Sequence, residues 1–148
     1  MHPADITGEG QMRGNSGIFL HCLYEIQVLE TFNNNKTYVN GQAGAIYKQH
    51  ASFVNSLRPP GEWNAYDIIF TSPIINADGT YRTNPRVTIM LNGILIQNNA
   101  VIYGATRTEM VTAKTRVGYN FRIMDVRSTT KTFGSGNFKI KYCLKTYL

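Results

Sequence analysis

The sequence predicts an all-β domain, a sandwich or a barrel of short strands. In LYEIQVLETF, residues 23–32, Tyr24, Ile26 and Val28 alternate with Leu23, Glu25, Gln27 and Leu29, the two-residue period of a strand. In RVTIMLNGILIQNN, residues 86–99, alternating apolar runs flank Asn92-Gly93, the strongest short-range hairpin signal. No window carries helical periodicity, no internal repeat is visible, and Gly, Pro and Asn punctuate the apolar runs at short intervals.

Residues 17–30 read as one long strand, with room for a bulge. Ile18, Leu20, Cys22, Tyr24, Ile26 and Val28 form its core face. The opposite face carries Phe19, His21, Leu23, Glu25, Gln27 and Leu29. Burying an ionised carboxylate without partners is costly. That face is therefore wet, or it binds something polar. NNNKTYVNGQ is a polar loop, because Asn and Gly tolerate the φ > 0 that turns demand. QAGAIYKQ is a short strand, and SLRPPGEW a rigid loop, each Pro fixing φ. WNAYDIIFTSP is a strand with Tyr66, Ile68 and Phe70 on one face. NADGTYRTNP is a turn region; its NADG lacks the repeated acidic ligands of a calcium loop. The two-residue turn at Asn92-Gly93 pairs Leu91 with Ile94 and Ile89 with Ile96, with Val87 on the same face. The other face shows Thr88, Met90, Leu95 and Gln97.

At 148 residues the chain has the length of one domain, and 43% hydrophobic residues suffice for a core. No apolar run reaches the ~20 residues of a membrane helix, and residues 1–17 hold no signal-peptide core. Cys22 and Cys143 have neither metal spacing nor a disulfide framework and leave the redox compartment open. The net charge of +6 is unevenly spread. Residues 1–105 hold six basic and seven acidic residues, and residues 106–148 nine and two. A basic tail can bind polyanions, but its basic residues are not interleaved with a stacking surface, so nucleic acid is not expected. Asn35-Lys36-Thr37 fits a glycosylation sequon, relevant only in a eukaryotic secretory route.

No P-loop, HExxH, GxSxG or zinc pattern occurs. The candidates for chemistry are scattered: His21, Glu25, Gln27, Glu30, Gln42, His50, Asn55, Glu62 and Asp67. On an extended strand, His21 and Glu25 stand about 13 Å apart, too far for a dyad but able to line one groove. Asp67, beside Trp63, can orient Arg58 or cap the preceding loop.

GNSGIFL…YEIQVLE, GQAGAIYKQ, VNSLRPPGEWNAYDIIF and VTIMLNGILIQNN, in that order and spacing, resemble the 3-keto-disaccharide hydrolase family, also described as 3-keto-glucoside lyase/hydratase domains. The resemblance covers residues 8–105. It implies a concanavalin-like jelly-roll β-sandwich, incomplete here, with Glu25 and Gln27 on a concave, sugar-facing sheet. It implies elimination next to a ketone: a base removes the proton on C2, the C1–oxygen bond breaks, and water adds to the glucal. A carboxylate or a histidine would serve as base, which makes Glu25 and His50 the catalytic candidates. Gln27, Gln42, His21 and Asp67 are the candidates for holding a keto-glycoside. The enolate needs donors or a cation, so the chemistry admits a divalent metal. Full-length relatives are expected to be periplasmic or secreted bacterial proteins.

The chain also departs from the family. Many members have Asp where Glu30 stands and Gly-Arg where Cys22-Leu23 stand. The opening strands, a late Gln-Asp-His-Gly and a final Phe-Arg-Asn are not visible. Met1 thus reads as an internal methionine, and the chain as a partial domain of little or no activity. Residues 106–136 form a divergent segment, and 137–148 (with NFKIKY) supply a closing strand. Phe121 to Asp125 can be encoded so that reading one base earlier spells Gln-Asp-His-Gly. Residues 107–136 are accordingly expected to be translated out of the ancestral frame. A non-catalytic carbohydrate-binding jelly roll is the alternative function, since sandwich folds host both uses.

Overall fold

The structure, a computed structural model, describes residues 2–106 apart from Pro3, Cys22 and Asn35, together with the backbone of Lys139–Tyr142. Expectations for residues 107–138 and 143–148, the frame argument included, lie outside the described residues.

The long first strand proves to be a hairpin. Strand β1 (Ser16–Leu20) and strand β2 (Tyr24–Val28) pair antiparallel. The turn between them holds His21 at φ 50, and the Leu23 N–H donates to the Leu20 carbonyl at 3.1 Å. Leu20 pairs with Tyr24 and Ile18 with Ile26, so even-numbered residues meet even-numbered ones. A turn of that length keeps the alternation in phase. Ile18, Leu20, Tyr24, Ile26 and Val28 therefore still form one buried face, as the alternation predicts.

QAGAIYKQ meets β2 through a single bridge, Ile26 to Ile46, rather than as a full strand. Around it the Gln27 N–H donates to the Ala45 carbonyl (2.9 Å), and the Tyr47 N–H to the Glu25 carbonyl (3.0 Å). The chain then turns through Lys48, at φ 60, and His50 pairs back with Ile46.

Strand β3 (Ala65–Thr71) buries Tyr66, Ile68 and Phe70 as expected. Strands β4 (Ile74–Ile75) and β5 (Tyr81–Thr83) form a small hairpin around NADG. There Asp78 Oδ1 accepts from the Thr80 N–H (2.9 Å) and hydroxyl (2.6 Å), an ordinary Asx-type turn. Strands β6 (Arg86–Leu91) and β7 (Ile94–Val101) form the predicted hairpin. Asn92 (φ 55) and Gly93 (φ 80) adopt the left-handed pair that a two-residue turn of this kind requires. Strand β8 (Lys139–Tyr142) runs parallel to β3, and the sheet order is β7-β6-β3-β8.

Two positions in the β6–β7 hairpin differ from the alternation. Leu91 pairs with Ile94 as expected, but Ile89 faces Gln97 instead of Ile96, because register shifts interrupt the ladder. Such a bulge sets two residues of one strand against one of its partner. Ile96 and Gln97 are both buried in consequence. Gln97 Nε2 donates to the carbonyls of Ala51 (2.9 Å) and Gly44 (3.2 Å), which makes its burial tolerable. Ile94, expected in the core, is half exposed because it starts the edge strand.

The β1–β2 sheet and the β3–β6–β7 face enclose one apolar core, in which Ile18, Tyr24 and Ile26 pack with Tyr66, Ile68, Ile89 and Leu91. The fully buried Tyr66 hydroxyl donates across it to the Gln27 carbonyl at 3.4 Å. Helical structure among the described residues is confined to two single 3-10 turns, Gly10–Met12 and Val39–Gly41. The result is an all-β jelly-roll sandwich. No helix among the described residues is long and apolar enough to cross a membrane.

Candidate ligand site on the polar face of the first sheet

The face of β2 that turns away from the core is set by register. Glu25 lies opposite Phe19 on β1. On its other side, the bridge from Ile26 to Ile46 and the Tyr47–Glu25 backbone bond put Tyr47 opposite Glu25. Residues directly opposite share a face, with Cβ atoms about 4.5–5.5 Å apart. Phe19, Glu25 and Tyr47 thus form one row, and Gly17, Gln27 and Ala45 the next. The Glu25 side chain occupies the space that Gly17 leaves: a Cβ there would lie 2.5 Å from Glu25 Oε1 and 2.9 Å from its Cγ.

Two loops roof this face. Asn34, itself buried, bonds the Gly10 carbonyl (2.8 Å), the Gly10 N–H (3.0 Å) and the Glu30 carbonyl (3.0 Å). Gln11 Nε2 bridges the loops by donating to the Gly41 carbonyl (2.8 Å) and the Thr37 hydroxyl. That direction leaves Gln11 Oε1 as an acceptor, and Gln27 Nε2 donates to it (3.2 Å) and to Asn15 Oδ1 (3.3 Å). With its amide nitrogen committed, Gln27 turns its Oε1 away. That atom is buried and has no hydrogen-bond partner among the described residues. Leaving an acceptor in that state costs about 1–3 kcal/mol.

At the rim stands a tyrosine pair. The Tyr38 hydroxyl donates to the Tyr47 hydroxyl at 2.6 Å, with ring centroids 6.2 Å apart. The Tyr38 ring lies on Gly41, where a Cβ would meet it at 2.2 Å. Loss of water pushes the Tyr38 hydroxyl up to about 12, aided by the bond to Tyr47 and the charges of Tyr47 and Glu25. It stays a neutral donor at ordinary pH. The Lys48 ammonium lies 5.4 Å from the Tyr47 ring centroid.

The other candidates go elsewhere. Folding of the long strand into a hairpin removes the groove expected of His21 and Glu25. His21 sits in the turn, 3.3 Å from Ser72 Oγ and edge-on to Phe70 at 5.1 Å; burial lowers its pKa. His50 bridges back to Ile46, on the Ile26 side of the sheet. Its Nε2–H donates to the Val101 carbonyl at 2.8 Å, and its ring lies beside Tyr103. Asp67 lies on the outer face of β3, opposite Met90. Arg58 donates to the Trp63 carbonyl (3.5 Å) rather than to Asp67. Gln42 follows Gly41 at the edge of the roof, its N–H on the Val39 carbonyl. Glu30 is buried as the anchor of the N-terminal segment, bonded to Arg13 Nε and to the Phe32 N–H (2.7 Å). Asn55 serves the Thr31 carbonyl at 2.7 Å.

Among the described residues no three His, Cys, Asp or Glu converge on a metal-sized space. By themselves they do not fit a divalent ion. Sequence reasoning missed Gln11, Asn15, Tyr38 and Tyr47. Tyr47 was accessible through its place next to core Ile46, since a strand neighbour faces the other way. The rest reach the site through loop paths that leave no periodic trace.

A buried carboxylate and a buried amide stand beside the Tyr38–Tyr47 pair on the outward face of a jelly-roll sandwich, the class of domain that the fold defines. The chain belongs to the 3-keto-alpha-glucoside-1,2-lyase-like domain family, whose model matches residues 4–132. It is similar in structure to a candidate glycosyl hydrolase from Parabacteroides distasonis ATCC 8503, with 57% identity and a TM-score of 0.69. The likeness covers 72% of this chain and 44% of that one, so the chain spans less than half of that protein's length. No curated protein matches the chain.

Proposed function

We propose that this domain serves in cleaving 3-keto-glycosides by elimination, with Glu25 as general base. The observation that carries the proposal is the pairing of a buried carboxylate with a buried amide acceptor on the sheet face that points away from the core. The family's lyase description supports the reaction class, and the hydrolase description of the structural neighbour supports a glycoside substrate.

The chemistry follows from the ketone. A carbonyl at C3 makes the C2–H bond acidic. The Glu25 carboxylate takes that proton, the C–H electron pair forms C2=C3, and the carbonyl becomes an enolate. When C3=O re-forms, the pair moves to C1=C2 and the C1–O bond breaks. The departing alkoxide takes the proton back from the Glu25 carboxylic acid. Water then adds to the unsaturated ketone. Gln27 Oε1, an acceptor without a donor among the described residues, suits a sugar hydroxyl.

One observation favours the alternative of a non-catalytic carbohydrate-binding module. His50, the other acid–base candidate, is committed to the Val101 carbonyl. Incubation with a 3-keto-glucoside separates the readings. Release of alcohol and unsaturated ketone supports elimination, and saturable binding without product supports the binding module.

A further inference from the structure

We propose that Tyr47, backed by Tyr38, donates the hydrogen bond that holds the C3 ketone oxygen while Glu25 removes the C2 proton. The inference rests on the assignment of Glu25 as base and adds the group that receives the developing negative charge.

Three observations converge on Tyr47. Its side chain shares the outward face with Glu25, directly across the backbone ladder. A base and a donor so placed can address C2 and the adjacent C3 oxygen of one sugar ring. The Tyr38 hydroxyl already donates to the Tyr47 oxygen. The Tyr47 proton therefore points away from Tyr38 and is open to an incoming acceptor. A donor that is itself receiving a hydrogen bond is polarised and donates more strongly. The Lys48 ammonium beside the Tyr47 ring adds positive potential where the enolate forms.

The pair is also held before any ligand arrives. Gly41 carries no side chain where the Tyr38 ring rests, and its N–H donates to the Tyr38 carbonyl at 3.0 Å. Lys48 sits at φ 60, a conformation uncommon for a residue with a long side chain. There its N–H reaches the Asn40 carbonyl at 2.9 Å and ties the Tyr47 turn to the Tyr38 loop. A donor fixed in advance needs no reorganisation as charge develops. The hydrogen bond transfers no proton: Tyr47 keeps its own while the C2 proton goes to Glu25, so the bookkeeping of the elimination is unchanged.

The test reads the ketone itself. A methyl 3-keto-glucoside labelled with carbon-13 at C3 is bound to the Glu25→Gln chain, where chemistry is blocked, and observed by NMR. Donation to the carbonyl shifts the bound C3 resonance downfield of the free ketone. Adding Tyr47→Phe should return it to the free position, and adding Tyr38→Phe should return it part of the way. Circular dichroism checks that each variant is folded. An undisplaced bound resonance in Glu25→Gln, one that persists after Tyr47→Phe, or no bound resonance at all overturns the proposal. Turnover of the ligand by Glu25→Gln would overturn the base assignment, while a shift lost with Tyr47→Phe would leave the donor standing.

Discussion

Replacing Gly17 by alanine tests whether the position of the Glu25 carboxyl matters as much as its charge. The added methyl would lie 2.5 Å from Glu25 Oε1, 2.9 Å from Cγ and 3.0 Å from Cδ, where ordinary contact begins at 3.4 Å. The carboxyl group must therefore retreat by about 0.9 Å, and a misplacement near 1 Å can cost about 100-fold in rate. Stability should suffer much less. Gly17 is not among the glycines with positive φ, so alanine strains no backbone. It recovers about 0.5–1 kcal/mol of strand entropy against an overpacking cost of about 1–3 kcal/mol. Measured with the complete gene product on a 3-keto-glucoside, kcat/KM should fall about 100-fold, while the urea midpoint moves only modestly. Wild-type kcat/KM in a folded Gly17→Ala variant would mean that the carboxyl position is irrelevant.

Three further outcomes are expected. Ile89→Ala should cost about 2–5 kcal/mol in urea unfolding, since Ile89 is fully buried between the sheets; a loss below about 1 kcal/mol would contradict its place in the core. Asn92→Gly keeps the turn conformation but removes bonds to the Ser56 carbonyl (2.7 Å), Asn64 Oδ1 (2.8 Å) and the Ala65 N–H (2.9 Å). It should cost about 1–3 kcal/mol, and no loss would mean that only the backbone matters there. Burial depresses the His21 pKa below its ordinary 6.5, so the stability linked to neutral His21 is present above that value and is lost as pH falls through the folded value. Thermal midpoints should decline on acidification below about pH 6.5, and His21→Gln should flatten that decline; an unchanged slope would contradict the assignment.

What could be read from the sequence was phase rather than path. Alternation identified Ile18, Leu20, Tyr24, Ile26 and Val28 as one face. It could not reveal the turn at His21, because pairing Leu20 with Tyr24 leaves the phase intact. Ile94 is exposed because it starts the edge strand, while the same limit explains Gln97. Bulges break the phase, and neither bulge carries a glycine or proline to announce it. Glu25 and Gln27 stood out because polar groups interrupted an apolar pattern. Gln11 and Asn15, which bond Gln27, and Tyr38, which bonds Tyr47, come from loops folded over the sheet, and loop closure is set by contacts distant in sequence. Asp67 and His50 were nominated for their chemistry alone, and register carries them to other faces.

The role proposed for Glu25 is to act on the substrate rather than to support the fold. The most direct measurement is product release from a 3-keto-glucoside by the complete gene product, wild type against Glu25→Gln, with urea unfolding of both. The exchange keeps size and one acceptor oxygen, puts an NH2 donor in place of the other, and removes the base. Turnover should fall at least about 100-fold while the unfolding midpoint stays close to wild type. Wild-type turnover in Glu25→Gln, or an equal collapse of stability, would contradict that role.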